Sequence, residues 1–242
     1  SSQRLSRGEK VKKPSDPKRD GYSFDGWYTD KKYNDKYDFS STVSRSFTLY
    51  AKWSEGDSED VFGSFKDVSS HWAKDSIKFA VDKGLFFGTT KTTFSPDMSM
   101  TRGMFVTVLG RLDGIDPKGS ANFSDVKSSM YYSPYIAWAS SNNIVAGTGD
   151  NKFSPEEQIT REQMAVMLYN YAKYIKKADY KEIDLDYNDA SSISKWAEDG
   201  MEFAASTKIM VGKPGNLADP KGLATRAEVA QLFKGFAEYI GK

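Results

Sequence analysis

The sequence predicts a mainly α protein in which three helical repeats form one pseudo-threefold domain behind a small N-terminal β module. Three observations support this. A turn followed by a helix recurs three times along the 242 residues, at a period of about sixty, typical of repeat architectures. Within each unit, apolar residues recur at helical spacing. The first quarter of the chain instead carries short aromatic runs between turn residues, which favours strands.

The repeated unit is clearest in residues 153–168, FSPEEQITREQMAVML. Pro155 restricts its own φ and keeps its predecessor out of the helical region, so the segment begins as a turn. Thr160 then suits a helix N-cap, and Gln163 can complete a capping box. From Met164 onward the apolar spacing predicts a helix with one buried face.

An arginine follows the N-cap threonine in all three units and comes six residues after a proline. These arginines, in order of expected importance for binding, are Arg161, Arg226 and Arg102. At the first helical position a cation lies beside unpaired amides and the positive end of the helix dipole, where it does not stabilise the helix. We therefore expect an anionic ligand there. The first unit also lacks the capping-box acid and has Gly103 in the first turn, where glycine is costly.

A glycine and an aspartate recur upstream of each arginine. The glycine precedes the arginine by fourteen residues, at Gly147, Gly88 and Gly212. We expect turn formation at positive φ, with close approach to a ligand as the second role. The aspartate lies in FSDV, FKDV and YNDA, at Asp125, Asp67 and Asp189. Helix capping and ligand contact both suit it.

Each unit also predicts a short amphipathic helix upstream of the glycine. Trp72 and Trp196 stand near the start of this helix in the first and third units, and Tyr132 is near the same place in the second. We expect the tryptophans mainly in the core, with ligand contact as the alternative. The long helices should run from Thr101 to about Leu112, from Thr160 to about Tyr174 and from Thr225 to about Ile240. One unit cannot bury both faces, whereas three can share a core, either as a closed body or as an open solenoid.

Composition argues against several classes of function. The net charge of +1, without a basic run, gives no reason to expect nucleic acid. No apolar run has the roughly 20 residues of a membrane span. With no cysteine, and His71 as the single histidine, a conventional nucleophile and base are missing, so we expect neither an enzyme nor a cofactor. Asp184, Asp186 and Asn188 resemble the opening of a calcium loop, but later positions do not fit and we expect no metal. The polar start lacks a signal-peptide core, and we expect a fragment of a larger protein.

Changes in composition and residue pattern along the chain predict these boundaries: a disordered or truncated lead-in at 1–13, a partial β module at 14–53, a linker at 54–63, and repeats at 64–120, 121–180 and 181–242. In the β module, GYSFDGWYTD, YDFSSTV and TLYAKW resemble the C-terminal part of the small β repeat of bacterial surface proteins, the Listeria–Bacteroides or InlB B-repeat type. This resemblance implies a spacer or adhesive module.

The three units resemble S-layer homology (SLH) repeats. The match rests on FKDVSSHWAKDSIKFAVDKGLFFGTT with FSPDMSMTR, on FSDV with IVAGTGDNKFSPEEQITREQ, and on NDA with WAEDGMEFA, IMVGKPG and TRAE. The family implies a three-pronged spindle in which each repeat lends a helix to a central three-helix bundle. It also implies extracellular, non-covalent attachment to the cell wall or S-layer of a Gram-positive-type bacterium, through an anionic, pyruvylated secondary cell wall polysaccharide.

With that ligand, the repeated residues acquire specific expected roles. An arginine would hold the ketal carboxylate, free amides at the helix start would assist it, and the glycine would let the backbone approach the sugar. A tryptophan or tyrosine would lie against the sugar face, and an aspartate would accept from its hydroxyls. The alternative is a protein-interaction module that self-associates in a surface layer without binding a glycan.

Overall fold

The computed structural model describes residues 2–14, 17, 22–55, 61–116, 118–175 and 177–242. Half of the expected linker, residues 56–60, lies outside the described residues. Contacts divide the chain into two compact units, Ser1–Val61 and Phe62–Lys242. Phe62 is buried in the core of the second unit, two residues before the predicted start of the first repeat.

The first unit is built on an antiparallel pair of strands, β1 (Tyr22–Tyr28) and β2 (Tyr50–Glu55). The register pairs Trp27 with Ala51 and is interrupted by a bulge between Phe24 and Gly26. The Phe24 ring packs edge-on against Trp27 and Trp53, with centroids 5.4 and 5.5 Å apart. The Phe24–Trp53 contact joins the two strands, and aromatic cross-strand contacts of this kind stabilise a short sheet.

The expected lead-in contacts the rest of the first unit. The Gly8 amide donates to the Val43 carbonyl at 2.9 Å, and Val43 donates back to Glu9 at 2.7 Å. Lys10 and Thr42 form an isolated β-bridge. These residues therefore pair with the β module, in contrast to the expected disorder.

The second unit has six helices in its described residues, a short and a long one in each repeat. They are α1 (Lys74–Asp82), α2 (Arg102–Asp113), α3 (Ser133–Ser141), α4 (Arg161–Tyr174), α5 (Glu198–Ser206) and α6 (Arg226–Ile240). In the third repeat, 3-10 turns at Ala190–Ser192 and Lys195–Ala197 precede α5. The long helices begin and end within one residue of their predicted bounds.

The long-helix N-caps follow the sequence pattern. Thr160 and Thr225 each accept from the third helical amide, and the residue there completes a capping box in α4 and α6. In α2, the Thr101 side chain accepts from the Met104 amide, but the methionine side chain cannot accept a hydrogen bond from the Thr101 amide to complete a capping box. The threonine side chain therefore sets the start of all three helices.

The long helices α2, α4 and α6 share one core. The rings of Phe105 and Phe233 lie 5.2 Å apart, and those of Tyr171 and Phe236 lie 5.8 Å apart. These four side chains are fully buried. The short helices pack around them, α1 on α6, α3 on α2 and α5 on α4. Each short helix thus covers a long helix of another repeat.

Backbone pairing closes the three repeats into a ring. One β-bridge joins each pair of repeats: Thr101 to Gln158, Thr160 to Leu223, and Ser99 to Thr225. The last joins the third repeat back to the first, which an open solenoid would not do. The pseudo-threefold body with a central helical bundle is therefore confirmed.

Candidate functional site between the repeats

The three arginines are buried between neighbouring repeats. Arg102, Arg161 and Arg226 are 4%, 9% and 7% exposed. Their Nε atoms donate at 2.9 Å to the carbonyls of Phe153, Ala218 and Phe94, respectively. Their Nη2 atoms donate to Ala146, Val211 and Phe87 at 3.4, 2.8 and 2.7 Å. Each guanidinium thus connects its own helix to two backbone segments of the next repeat in the ring.

The amides at the helix starts are already hydrogen-bonded. The Arg161 amide donates to Gly222 at 2.9 Å and the Glu162 amide donates to Pro220 at 3.0 Å. The next amide donates to the Thr160 hydroxyl, and α2 and α6 repeat the pattern. The expectation of free amides is therefore wrong, because closure of the ring supplies their acceptors.

The same contacts explain why a cation occupies the first helical position. Burial lowers the pKa of all three arginines, and nearby carboxylates partly offset it for Arg102 and Arg161. For Arg226, burial lowers the pKa to about 10, so the group is charged at neutral pH. Its fork of N–H donors matches two carbonyls presented by the adjacent repeat.

The repeated aspartates fasten the turn that precedes each long helix. Asp125 accepts from the amides of Phe153 and Ser154 at 2.9 and 2.8 Å, and Asp67 and Asp189 bind the equivalent amides. The turns contain residues at positive φ: Ser95, Ser154 and Asp219. Burial raises the pKa of Asp125 and Asp67, but the two amides outweigh it and hold the pKa below its usual value. Their carboxylates are therefore committed to backbone donors.

The repeated glycines have negative φ, so the expected positive-φ role is wrong. They are instead sites of close approach. A Cβ on Gly88 would lie 2.4 Å from the ring of Phe65 and 2.8 Å from the Thr93 carbonyl. Gly147 and Gly212 meet a ring and a carbonyl in the same way. In each repeat an aromatic ring and a backbone carbonyl thus occupy the space beside the glycine Cα where close approach of a sugar was expected.

The exposed aromatic residues depart from the core expectation. Trp72 and Trp196 are 62% and 57% exposed. Tyr132 is buried and donates from its hydroxyl to Glu156 at 2.6 Å. Its neighbour Tyr131, which is 52% exposed, is the equivalent of the tryptophans, since all three precede a fully or almost fully buried helix residue by five positions. Sequence reasoning missed Tyr131, although counting back from Ile136 would have found it.

One groove of the second unit contains one predicted residue from each repeat. Trp72, Arg161 and Gly212 line a cavity of about 380 Å³, which we call the Trp72 groove. This volume is in the range of small-molecule sites. Its lining carries four cationic side chains and two carboxylates: Arg161, Lys208, Lys213 and Lys234 with Glu228 and Glu238. The groove therefore has an excess of positive charge and an exposed indole.

The repeat equivalence assigns the corresponding residues to the other two junctions of the ring. We call the junction of Tyr131, Arg226 and Gly88 the Tyr131 groove, and the junction of Trp196, Arg102 and Gly147 the Trp196 groove. Tyr131 and Arg226 are close enough to interact electrostatically. The structure thus brings one predicted residue from each repeat together in the Trp72 groove, and it places Arg226 and Arg102 against the residues just before Gly88 and Gly147.

The Trp196 groove has an ion pair beside its aromatic residue. Lys221 lies 6.0 Å from the centre of the Trp196 ring and pairs with Glu162. Glu162 is 3% exposed and also accepts from Ser194. Trp196 therefore lies beside an ion pair whose carboxylate is buried.

Comparison with known families agrees with this architecture. Residues 64–103, 122–165 and 186–230 match the S-layer homology domain. The chain belongs to the S-layer homology family. Residues 1–52 match the Listeria-Bacteroides repeat domain, and both resemblances are therefore confirmed.

The relatives are long proteins. An amylopullulanase of Thermoanaerobacterium thermosulfurigenes is 34% identical over 206 residues, 84% of this chain and 11% of the relative. The exoglucanase XynX of Acetivibrio thermocellus is 35% identical over 178 residues, 72% of this chain and 16% of the relative. The S-layer protein EA1 of Bacillus anthracis is 31% identical over 182 residues, 74% of this chain and 20% of the relative. The chain thus spans a fifth or less of each.

The matched region and the S-layer relatives support cell-wall anchoring of a surface protein as the role of the S-layer homology repeats. Within the described residues, no helix is both long and apolar enough to serve as a bilayer span.

Proposed function

We propose that the S-layer homology unit anchors its protein by binding an anionic, pyruvylated secondary cell wall polysaccharide in the grooves between repeats. The Trp72 groove is the principal site. The observation that carries the proposal is the meeting of an exposed indole and an excess of cations in one cavity formed by all three repeats.

The roles within this site differ from those expected from sequence. Nε and Nη2 of Arg161 hold the next repeat, and among the described residues no acceptor is assigned to Nη1. Arg161 therefore shapes the groove and adds charge from its wall. Lys208 and Lys213, which line the groove on either side of Gly212, supply ammonium groups for a ketal carboxylate. Lys213 is paired with Glu228, whereas Lys208 has no ion pair among the described residues.

Trp72 supplies the surface for the sugar ring. Its indole is apolar on both faces and carries one N–H donor at its edge. A pyranose has an apolar face and a rim of hydroxyls, so both parts match. Three such grooves on one body would also add avidity along a repeating polymer.

A test is calorimetric titration of the 242-residue protein with pyruvylated wall polymer and with the same polymer stripped of its ketal. Lys208→Asn removes a charge at a position with φ of 58°, which asparagine tolerates. This variant should have a lower affinity for the pyruvylated polymer, and that affinity should depend less on salt concentration. Its affinity for the stripped polymer should be unchanged. Equal binding of both polymers by the wild type would contradict the anion mechanism.

Trp72→Ala tests the aromatic surface. It should weaken binding roughly tenfold or more, because the apolar contact is lost. The control is Tyr174→Ala, which removes another exposed aromatic residue outside the lining of the Trp72 groove. Equal losses in both variants would argue against a specific site.

A second candidate is an assembly module that self-associates in a surface layer, favoured by relatives named as S-layer proteins. In that case Trp72→Ala would reduce oligomerisation measured by sedimentation, and neither polymer would bind. Under both functions we infer that residues 62–242 act without catalysis.

A further inference from the structure

The three grooves differ at the residue ten positions after each N-cap threonine. In the first repeat this is Arg111, whose Nη1 donates to the Leu85 carbonyl at 3.0 Å and whose guanidinium lies 4.5 Å from the centre of the Phe87 ring. In the second repeat it is Asn170, whose Nδ2 donates to the Ile144 carbonyl at 3.2 Å. In both, a side chain covers the loop that leads to the repeated glycine.

The third repeat has Gly235 at this position, and Gly235 lines the Trp72 groove. The carbonyl equivalent to those of Leu85 and Ile144 belongs to Ile209, which lines the same groove. Within the described part of the chain, no donor is assigned to the Ile209 carbonyl. The floor of this groove is thus open where the other two are covered.

Packing of the fold does not require this glycine. A Cβ built on Gly235 meets no heavy atom within 4 Å, unlike one on Gly88. Gly235 also lies inside α6, where glycine is a poor helix former. Its absent side chain leaves room in the groove, beside the polar side chains of Gln231, Lys234 and Glu238.

We propose that Gly235 opens a second sugar subsite in the Trp72 groove, next to the one that takes the anionic residue. The subsite holds a neighbouring sugar of the same polysaccharide by hydrogen bonds to its hydroxyls, from the Ile209 carbonyl and from these polar side chains. The Trp72 groove therefore recognises at least a disaccharide, whereas Arg111 and Asn170 restrict the other grooves to a shorter ligand. This inference rests on the proposed glycan binding.

The test compares a ketal-bearing monosaccharide with the disaccharide that extends it by one sugar. Both are titrated calorimetrically into the 242-residue protein carrying Tyr131→Ala and Trp196→Ala, so that the Trp72 groove dominates binding. The disaccharide should bind about tenfold tighter, the gain from one or two added hydrogen bonds. Gly235→Asn, which copies the uncharged side chain that covers the equivalent carbonyl in the second repeat, should abolish that gain and leave monosaccharide affinity unchanged.

Gly235→Ala is the matched control, since its methyl group leaves most of the space open. This variant should keep the disaccharide gain. It should also raise the melting temperature, because alanine is a better helix former than glycine. Equal affinity for both sugars in the parent, or a retained gain in folded Gly235→Asn, would overturn the second subsite. Equal loss of both sugars in Gly235→Asn would place Gly235 in the first subsite and also overturn it. Failure of the parent to bind either sugar would instead refute the proposed function, and the subsite with it.

Discussion

The Nε of Arg226 donates a hydrogen bond of 2.9 Å to the carbonyl of Phe94, which lies 132 residues earlier in the chain. This contact joins the third repeat to the first and closes the ring. Arg102 and Arg161 make the equivalent contact at the other two junctions. The recurring arginine therefore holds neighbouring repeats together, and the grooves form at the junctions that it closes.

Removing the closing arginine should destabilise the whole unit. Arg226→Ala leaves the carbonyls of Phe94 and Phe87 without their donor, which we expect to cost on the order of 2–4 kcal/mol in the free energy of unfolding. Urea denaturation measures it. The control is Arg45→Ala, an exposed arginine of the first unit, which should leave this transition unchanged. A wild-type midpoint for Arg226→Ala would show that the ring is held by other contacts.

Asp125, which binds two amides of the turn, should make the stability of the fold decrease at low pH. The folded pKa of Asp125 lies below its usual value of about 3.9. Its contribution is therefore fully present above that value and is lost as the pH falls through the lower, folded pKa. Asp125→Asn should cost roughly 1 kcal/mol at pH 7, because the carboxylate is partly exposed and screened.

Denaturation followed from pH 7 down to pH 2 checks the sign. The variant should show a flatter loss of stability below about pH 4 than the wild type. Asp184→Asn is the control, since Asp184 is exposed and its carboxylate has no amide donor among the described residues. If the free energy of unfolding of Asp125→Asn falls with pH as steeply as that of the wild type, the Asp125 carboxylate is not the source of the acid sensitivity.

A methyl group on Gly88 should be destabilising even without ligand. The added Cβ would lie 2.3 Å from the Thr90 carbonyl oxygen and 2.4 Å from the Phe65 ring. We expect Gly88→Ala to cost about 1–3 kcal/mol, read from thermal unfolding. Gly235→Ala, which meets nothing, should be neutral or stabilising by up to about 1 kcal/mol. If the two variants unfold alike, close packing is not the reason for the repeated glycine.

Gly103 and Tyr132 should be energetically coupled. A Cβ on Gly103 would lie 2.9 Å from the Tyr132 ring and 3.0 Å from the Pro155 carbonyl. Gly103→Ala should cost roughly 1–2 kcal/mol in the wild type. After Tyr132→Ala the same change should cost at least about 0.5 kcal/mol less, because one of the two obstacles is gone. A double-mutant cycle by denaturation gives the coupling, and additive costs would exclude it.

The repeated sequence pattern predicted much of this architecture. Thr160 and its counterparts predicted the helix starts, because a capping hydroxyl acts on amides only a few residues away. The apolar spacing from Met164 onward predicted the buried face for the same local reason. Gly103, by contrast, could be interpreted only as a helix defect, since its steric reason is a tyrosine in another repeat.

The three repeats, their helices and caps, and the recurring arginines, aspartates and glycines could all be read from the amino-acid sequence. They depend on short-range geometry and on spacing along the chain. What each recurring residue contacts became clear only from the folded protein. Arg161 was expected to face a ligand, but it binds the Ala218 carbonyl of the next repeat, and Trp72 was expected in the core, but it is exposed in a groove. The reason is ring closure, which brings acceptors and surfaces together from residues distant in the chain, and spacing within one repeat does not encode these contacts.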